Sequence, residues 1–174
     1  FATRIDRAVL TQTLDWLDAH PQHAEQVGMI GINLSGASVG DDEFAQFVEE
    51  RVLASRFPAA RVCFEITETS AVRDLGQAQR FIQRIRALGC KFALDDFGTG
   101  FCSFSYLQSL DVDYFKIDGS FVREIETPSL ALAIVRSIAD IGRTIDKQTI
   151  AECAETESIR RRLIELGVDH AQGY

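Results

Sequence analysis

The stretch Lys91–Lys116, KFALDDFGTGFCSFSYLQSLDVDYFK, decides the fold. It opens as a short apolar run, Phe92-Ala93-Leu94, and passes into adjacent carboxylates, Asp95 and Asp96. A loop with two glycines, Phe97-Gly98-Thr99-Gly100, follows, and a lysine then sits inside a second apolar run, Tyr114 to Ile117. Strand and helix alternate throughout the chain at about the length of one βα unit each, the pattern of a parallel sheet with helices outside. Neighbouring carboxylates repel each other unless a cation lies between them. The pair therefore points to divalent metal ions, and with them to a phosphate ester as substrate.

Outward from this stretch the same alternation recurs. Met29 to Ser35 reads as a strand with Ile30, Ile32 and Leu34 on one face and Met29, Gly31 and Asn33 on the other. Arg61 to Thr67 places Val62, Phe64 and Ile66 opposite Cys63, Glu65 and Thr67. Lys91 to Asp95 and Tyr114 to Ile117 follow the same rule. Gln148 to Ala154 carries Glu152, and His170 to Tyr174 carries Gln172. Helical spacing marks Arg4 to Leu17, with Ile5, Val9 and Trp16/Leu17 as the apolar side and Asp6, Arg7, Gln12 and Asp15 elsewhere. It also marks the run through Phe44, Phe47, Val48 and Val52, capped by Asp41-Asp42, and the run from Leu75 to Leu88, closed by Gly89. Ile134, Ile138 and Ile141 make a further helix, and Ile159, Leu163 and Leu166 another, stopped at Gly167. His20 to Gln26 reads as a loop with a solvated histidine pair, and Phe104 to Leu110 as a short helical turn. The fold class is α/β, a TIM-like (β/α) barrel forming one domain over residues 1–174.

Six polar residues then fall near the C-terminal ends of successive strands: Asn33, Glu65, Asp95, Lys116, Glu152 and Gln172. In the first four strands each lies opposite the large aliphatics, which places it toward a barrel axis whose C-terminal mouth is the usual active-site position. Asp96 follows at the strand end, where the pleat breaks up. Asn, Glu and Asp are hard oxygen ligands suited to magnesium or manganese, and a bridging carboxylate such as Asp95 fits a two-metal site. Lys116, among carboxylates, is read as a protonated group that positions water or stabilises charge, with a structural ion pair as the plainer alternative. Glu152 is read as the acceptor of the water's proton or as a group holding a metal-bound water. The DFG triplet at 96–98 also occurs in protein kinases, but no glycine-rich phosphate loop, strand lysine or HRD segment precedes it. Its glycines suit a movable lid or a plain turn.

The 174 residues carry a formal net charge of −8, which argues against a binder of DNA or RNA duplexes. No apolar run approaches the ~20 residues that cross a bilayer. Cys63, Cys90, Cys102 and Cys153 form no CxxC pair and read as reduced thiols of a cytoplasmic protein.

Taken together, Ile32-Asn33-Leu34-Ser35, Glu65-Ile66-Thr67-Glu68, Leu94 to Gly100, Lys116-Ile117-Asp118, Ala151-Glu152-Cys153-Ala154-Glu155 and Gln172-Gly173-Tyr174 resemble the EAL-domain phosphodiesterases of bacterial cyclic-di-GMP signalling. The resemblance implies a barrel that hydrolyses cyclic-di-GMP to linear pGpG with two Mg²⁺ or Mn²⁺ ions. By its implication Asn33, Glu65, Asp95 and Asp96 are metal ligands, and Lys116 and Glu152 handle the attacking water. Glu155 and Gln172 line the metal and substrate region, with Asp118 in the same motif as Lys116. Glu68 anchors the loop Phe97 to Ser103, which in the family couples the site to dimerisation. A homodimer is expected, as is a longer parent, fused to GGDEF and PAS-type sensor domains, with this domain cytoplasmic even where that parent is membrane-anchored. The family's Glu-Ala-Leu motif, with its own metal ligand and substrate arginine, has no counterpart here and is expected upstream of Phe1, so the resemblance implies that the barrel is incomplete in this chain. The family's usual glycine and valine are replaced by Cys153 and Ala154. Two rivals stand beside the phosphodiesterase: a receptor module that binds cyclic-di-GMP without cutting it, and a metal-dependent barrel acting on another phosphate ester.

Overall fold

The computed structural model describes residues 1–99 and 106–173. They divide into two compact units, Phe1–Phe92 with Ser109–Asp111, and the remainder. The first unit opens with helix α1 (Ala2–Ala19) and helix α2 (Pro21–Gln26), followed by strand β1 (Ile30–Leu34). Helices α3 (Gly36–Val39) and α4 (Asp42–Ala54), strand β2 (Val62–Thr67), and helices α5 (Glu68–Arg73) and α6 (Leu75–Arg86) complete it. β1 and β2 are parallel, with Asn33 opposite Glu65. The side chains of Phe44, Phe81, Phe92 and Phe64 run in sequence through its core, with ring centroids 5.7–6.2 Å apart. Offset and edge-on aromatic contacts at this spacing add to the area they bury.

Strand β3 (Lys91–Phe97) leads into the second unit, which holds β4 (Tyr114–Ile117), α7 (Gly119–Val122), α8 (Leu130–Thr144), β5 (Gln148–Ala151), α9 (Glu157–Leu166) and β6 (His170–Ala171). Pairings β3–β4, β4–β5 and β5–β6 are all parallel. Parallel strands with intervening helices are buried on both faces, and β4 and β5 carry the apolar residues that this demands. Phe97 stacks on Phe115 with centroids 4.7 Å apart. Asp169 ties β5 toward β6, its carboxylate accepting from Thr149 N–H at 2.7 Å and Thr149 Oγ1 at 2.9 Å. Leu94 is fully buried. Leu94→Ala is expected to cost ~2–5 kcal/mol in urea unfolding, through lost transfer free energy and the cavity left behind.

The first four strands and two of the predicted caps follow the sequence reading closely. Asp41 caps α4, accepting from Glu43 N–H and Phe44 N–H. Gly167 ends α9 with φ +74. Gly89 takes φ +96 but lies beyond the end of α6, which stops at Arg86 with Ala87 as its cap.

Four expectations need correction. His20 to Gln26 is not a loop: Pro21 occupies the first turn of α2, where its fixed φ suits a helix and its missing N–H costs nothing. His20 stacks on Trp16 with ring centroids 4.5 Å apart. The buried stripe of α1 is Asp6, Leu10, Leu14 and Leu17, while Ile5, Val9 and Trp16 are exposed. The strand read as Gln148 to Ala154 ends at Ala151, so Glu152 lies just past it, its N–H donating to Ile117 O at 3.1 Å. The strand His170 to Tyr174 ends at Ala171, and Gln172 follows it. The short helices α3, α5 and α7 carry too few apolar residues to show a period. Of the loop Phe97 to Ser103 and the turn Phe104 to Leu110, residues 100–105 lie outside the described residues, as do Cys102 and Tyr174.

Candidate active site

In the second unit, Asp95 and Asp96 occupy a break in the ladder. Leu94 pairs with Phe115 and Phe97 with Ile117, so three steps on β3 oppose two on β4. This is a bulge, and a bulge re-aims the side chains it carries. Asp96 takes φ +53 there, the left-handed region that aspartate tolerates better than most residues. Asp96 N–H donates to Asp95 Oδ1 at 3.1 Å. A regular strand would send consecutive side chains to opposite faces. The bulge instead lets both carboxylates join Glu152, and ligand oxygens of all three lie within 4.8 Å of one another.

Lys116, only 4% exposed, reaches the same place from β4. Its Nζ donates to Asp95 Oδ1 at 3.0 Å and to Glu152 Oε1 at 2.7 Å. One ammonium thus stands among three carboxylates, which leaves net negative charge for a cation to meet. Asp118 adds to it. This residue caps α7, accepting from Ser120 N–H at 2.8 Å and from Ser120 Oγ. Burial first, then repulsion from Asp95 and Asp118, raises the Asp96 carboxyl above the ordinary aspartate range, against a smaller opposing pull from Lys116.

A carboxyl whose pKa is raised by folding contributes stability below its unfolded value and loses it as pH rises through the folded value. At neutral pH the metal-free fold therefore carries a penalty at Asp96. Asp96→Asn removes the charge, and asparagine tolerates the left-handed backbone. The expected result is a metal-free protein whose Tm at pH 7 is a few degrees higher, with a smaller gain in Tm on adding Mn²⁺, both read by calorimetry.

The loop after β5 holds the next residues. Cys153 takes φ +53, and its Sγ accepts from Arg123 Nη2 at 3.0 Å. Glu155 lies 3.8 Å from Arg123 Nε, and its N–H donates to Cys153 O at 2.9 Å. Gln172 fastens this loop through its backbone: its carbonyl accepts from Ala154 N–H at 3.0 Å and its N–H donates to Ala151 O at 2.8 Å.

In the first unit, Asn33 and Glu65 sit side by side at the C-terminal ends of β1 and β2. The Glu65 carboxylate lies across Gly31, where any Cβ would collide with its Oε1. A side chain at 31 would push that glutamate end aside, so Gly31 leaves room for Glu65 to lie where it does, and sequence reading missed it. The signal was available: Gly31 shares a face with Asn33 and leaves a gap one pleat away. Glu68 is 1% exposed in the first turn of α5, beside Thr67, the α5 cap. The loop it was read to anchor lies largely outside the described residues. Cys63, Cys90 and Cys153 are free thiols, the first two buried. Among the described residues, no helix is long and apolar enough to cross a membrane.

The EAL domain family model matches residues 1–174. The chain belongs to the EAL domain family. Its fold class is accordingly the α/β, TIM-like barrel of that family. It is 41% identical over 170 residues to the cyclic di-GMP phosphodiesterase PdeB of Shewanella oneidensis, a match covering 98% of this chain and 20% of that protein. The chain thus spans about a fifth of that relative's length. Among solved structures it is similar to the EAL domain of Mycobacterium smegmatis DcpA, at 33% identity and a TM-score of 0.90, covering 99% of this chain and 78% of that one. It is also similar to Klebsiella pneumoniae BlrP1 in a manganese and cyclic-di-GMP complex, at 25% identity and a TM-score of 0.87, covering 99% of this chain and 43% of that one.

Proposed function

We propose that this EAL domain hydrolyses cyclic-di-GMP to linear pGpG, using two divalent cations, Mg²⁺ or Mn²⁺. The observation that carries the reading is Lys116 Nζ held between Asp95 and Glu152, beside the clustered oxygens of Asp95, Asp96 and Glu152. That donor set is all hard oxygen, and its uncompensated charge suits Mg²⁺ or Mn²⁺. Asp95, Asp96, Asn33 and Glu65 are assigned as metal ligands. Paired cations would supply Lewis acidity toward a phosphodiester.

The chain's own groups do the rest. Lys116 orients the attacking water and meets negative charge growing on the phosphoryl oxygens. Glu152, within 2.7 Å of that ammonium, takes the water's proton. The bond from water oxygen to phosphorus forms, the bond from phosphorus to the 3′ oxygen breaks, and that oxygen takes a proton from solvent as the one held on Glu152 is released. Glu155, Gln172 and Asp118 shape the rim, and Glu68 holds the loop after β3. The same reading carries a homodimer, a cytoplasmic site of action and a parent fused to GGDEF and PAS-type domains.

Reaction of the full-length protein in ¹⁸O-labelled water tests the bond assignment. The label should enter the 5′-phosphate of pGpG, seen by mass spectrometry. Label on a 3′-phosphate would contradict the assignment, and intact bound dinucleotide without product would make the domain a receptor.

A further inference from the structure

Asp6 is a charged residue on the buried face of α1, and it is only 7% exposed. Three donors from the segment after β1, 29 to 32 residues away, converge on one of its oxygens. Asp6 Oδ2 accepts from Ser35 N–H at 2.8 Å, Ser35 Oγ at 2.7 Å and Ser38 Oγ at 2.6 Å. Ser35 and Ser38 also share a hydrogen bond at 3.1 Å. Charge-assisted bonds of this kind are short and directional. Burying a carboxylate is a poor way to gain stability, since an apolar residue of similar size often does as well or better. The leucines at positions 10, 14 and 17 already pack the rest of the α1 stripe. What the carboxylate adds is direction.

Its target is two residues from Asn33. Asn33 is itself exposed, so packing does little to fix its side chain. Its direction is inherited from the backbone, which is held upstream by buried Ile32 and downstream by buried Leu34 and the pinned Ser35 N–H. Beside it stands Glu65, its register partner. Ligand groups must be held within ~0.5 Å of the productive geometry to bind a cation well. We infer that Asp6 is a positioning residue for Asn33, setting the end of β1 from α1 so that the amide is presented for metal binding. This rests on the proposed role of Asn33 as a ligand.

The test measures Mn²⁺ binding to the full-length protein by electron paramagnetic resonance of the free ion, which needs no turnover. Asp6→Asn, Asn33→Ala and the double variant are compared, with circular dichroism reporting the fold. Asp6→Asn should weaken Mn²⁺ binding at least about tenfold, and the double variant should bind no more weakly than Asn33→Ala alone, because both changes act through one ligand. Native Mn²⁺ affinity in Asp6→Asn, whatever its Tm, combined with loss in Asn33→Ala, would assign Asp6 to scaffolding and overturn the inference. Native affinity in Asn33→Ala would instead overturn the ligand role of Asn33, and the inference with it. Should Asp6→Asn fail to fold, Ser38→Ala decides: it removes one donor and leaves both bonds from Ser35. About threefold weaker Mn²⁺ binding supports the inference, and unchanged binding overturns it.

Discussion

Asp95→Asn is expected to lower kcat for cyclic-di-GMP by at least about 10³-fold while leaving circular dichroism unchanged. The substitution keeps volume and removes the charge that Lys116 contacts at 3.0 Å. It also turns one of the three clustered carboxylates, with Asp96 and Glu152 the other two, into an amide. Mn²⁺ affinity should fall in parallel, by about 10–100-fold, because an amide is a weaker ligand than a carboxylate. Asp96 should meanwhile ionise more readily, since one of the repelling charges that raise its carboxyl is gone. Near-native turnover would remove Asp95 from the metal site.

Lys116→Met is the second large effect, and it separates two quantities that a general disruption would move together. Methionine fills the buried volume but leaves Asp95 and Glu152 without the ammonium now 3.0 and 2.7 Å from them. Breaking a buried pair from one side costs about 3–5 kcal/mol, so the metal-free variant should be markedly less stable. A cation would restore part of that loss, because it supplies the missing positive charge. Mn²⁺ affinity is therefore expected to stay the same or rise, while kcat falls at least about 10³-fold. The contrast with Asp95→Asn, where both fall, is the signature of a catalytic cation rather than a ligand. If Lys116→Met kept native kcat, the residue would be a neutralising ion pair only.

Much of this arrangement was legible in the chain. The alternation of Ile32 and Leu34 about Asn33, and of Phe64 and Ile66 about Glu65, placed both polar residues at strand ends before any coordinates. Lys116 between Phe115 and Ile117 was read in the same way. What escaped had physical reasons. The bulge at Asp95–Asp96 is a mismatch between two strands, and no property of β3 alone announces it. The α1 stripe was misread because Ile5, Val9 and Trp16 also follow helical spacing. A carboxylate is seldom buried unless paired, and the donors that pair Asp6 lie about thirty residues downstream. Gly31 was taken as a neutral member of its face, since its role depends on where the Glu65 side chain runs. The short helix after His20 was hidden by its polar composition, although Pro21 is a recognised start signal. For the bulge, Asp6 and Gly31 the missing information was a long-range partner.

The most direct test is to incubate the metal-loaded full-length protein with cyclic-di-GMP and follow the nucleotides by liquid chromatography, with and without EDTA. Conversion to pGpG with Mn²⁺ or Mg²⁺, stopped by EDTA and restored by excess metal, is the predicted result. A folded, metal-loaded protein that binds the cyclic dinucleotide and returns it uncut would contradict the account.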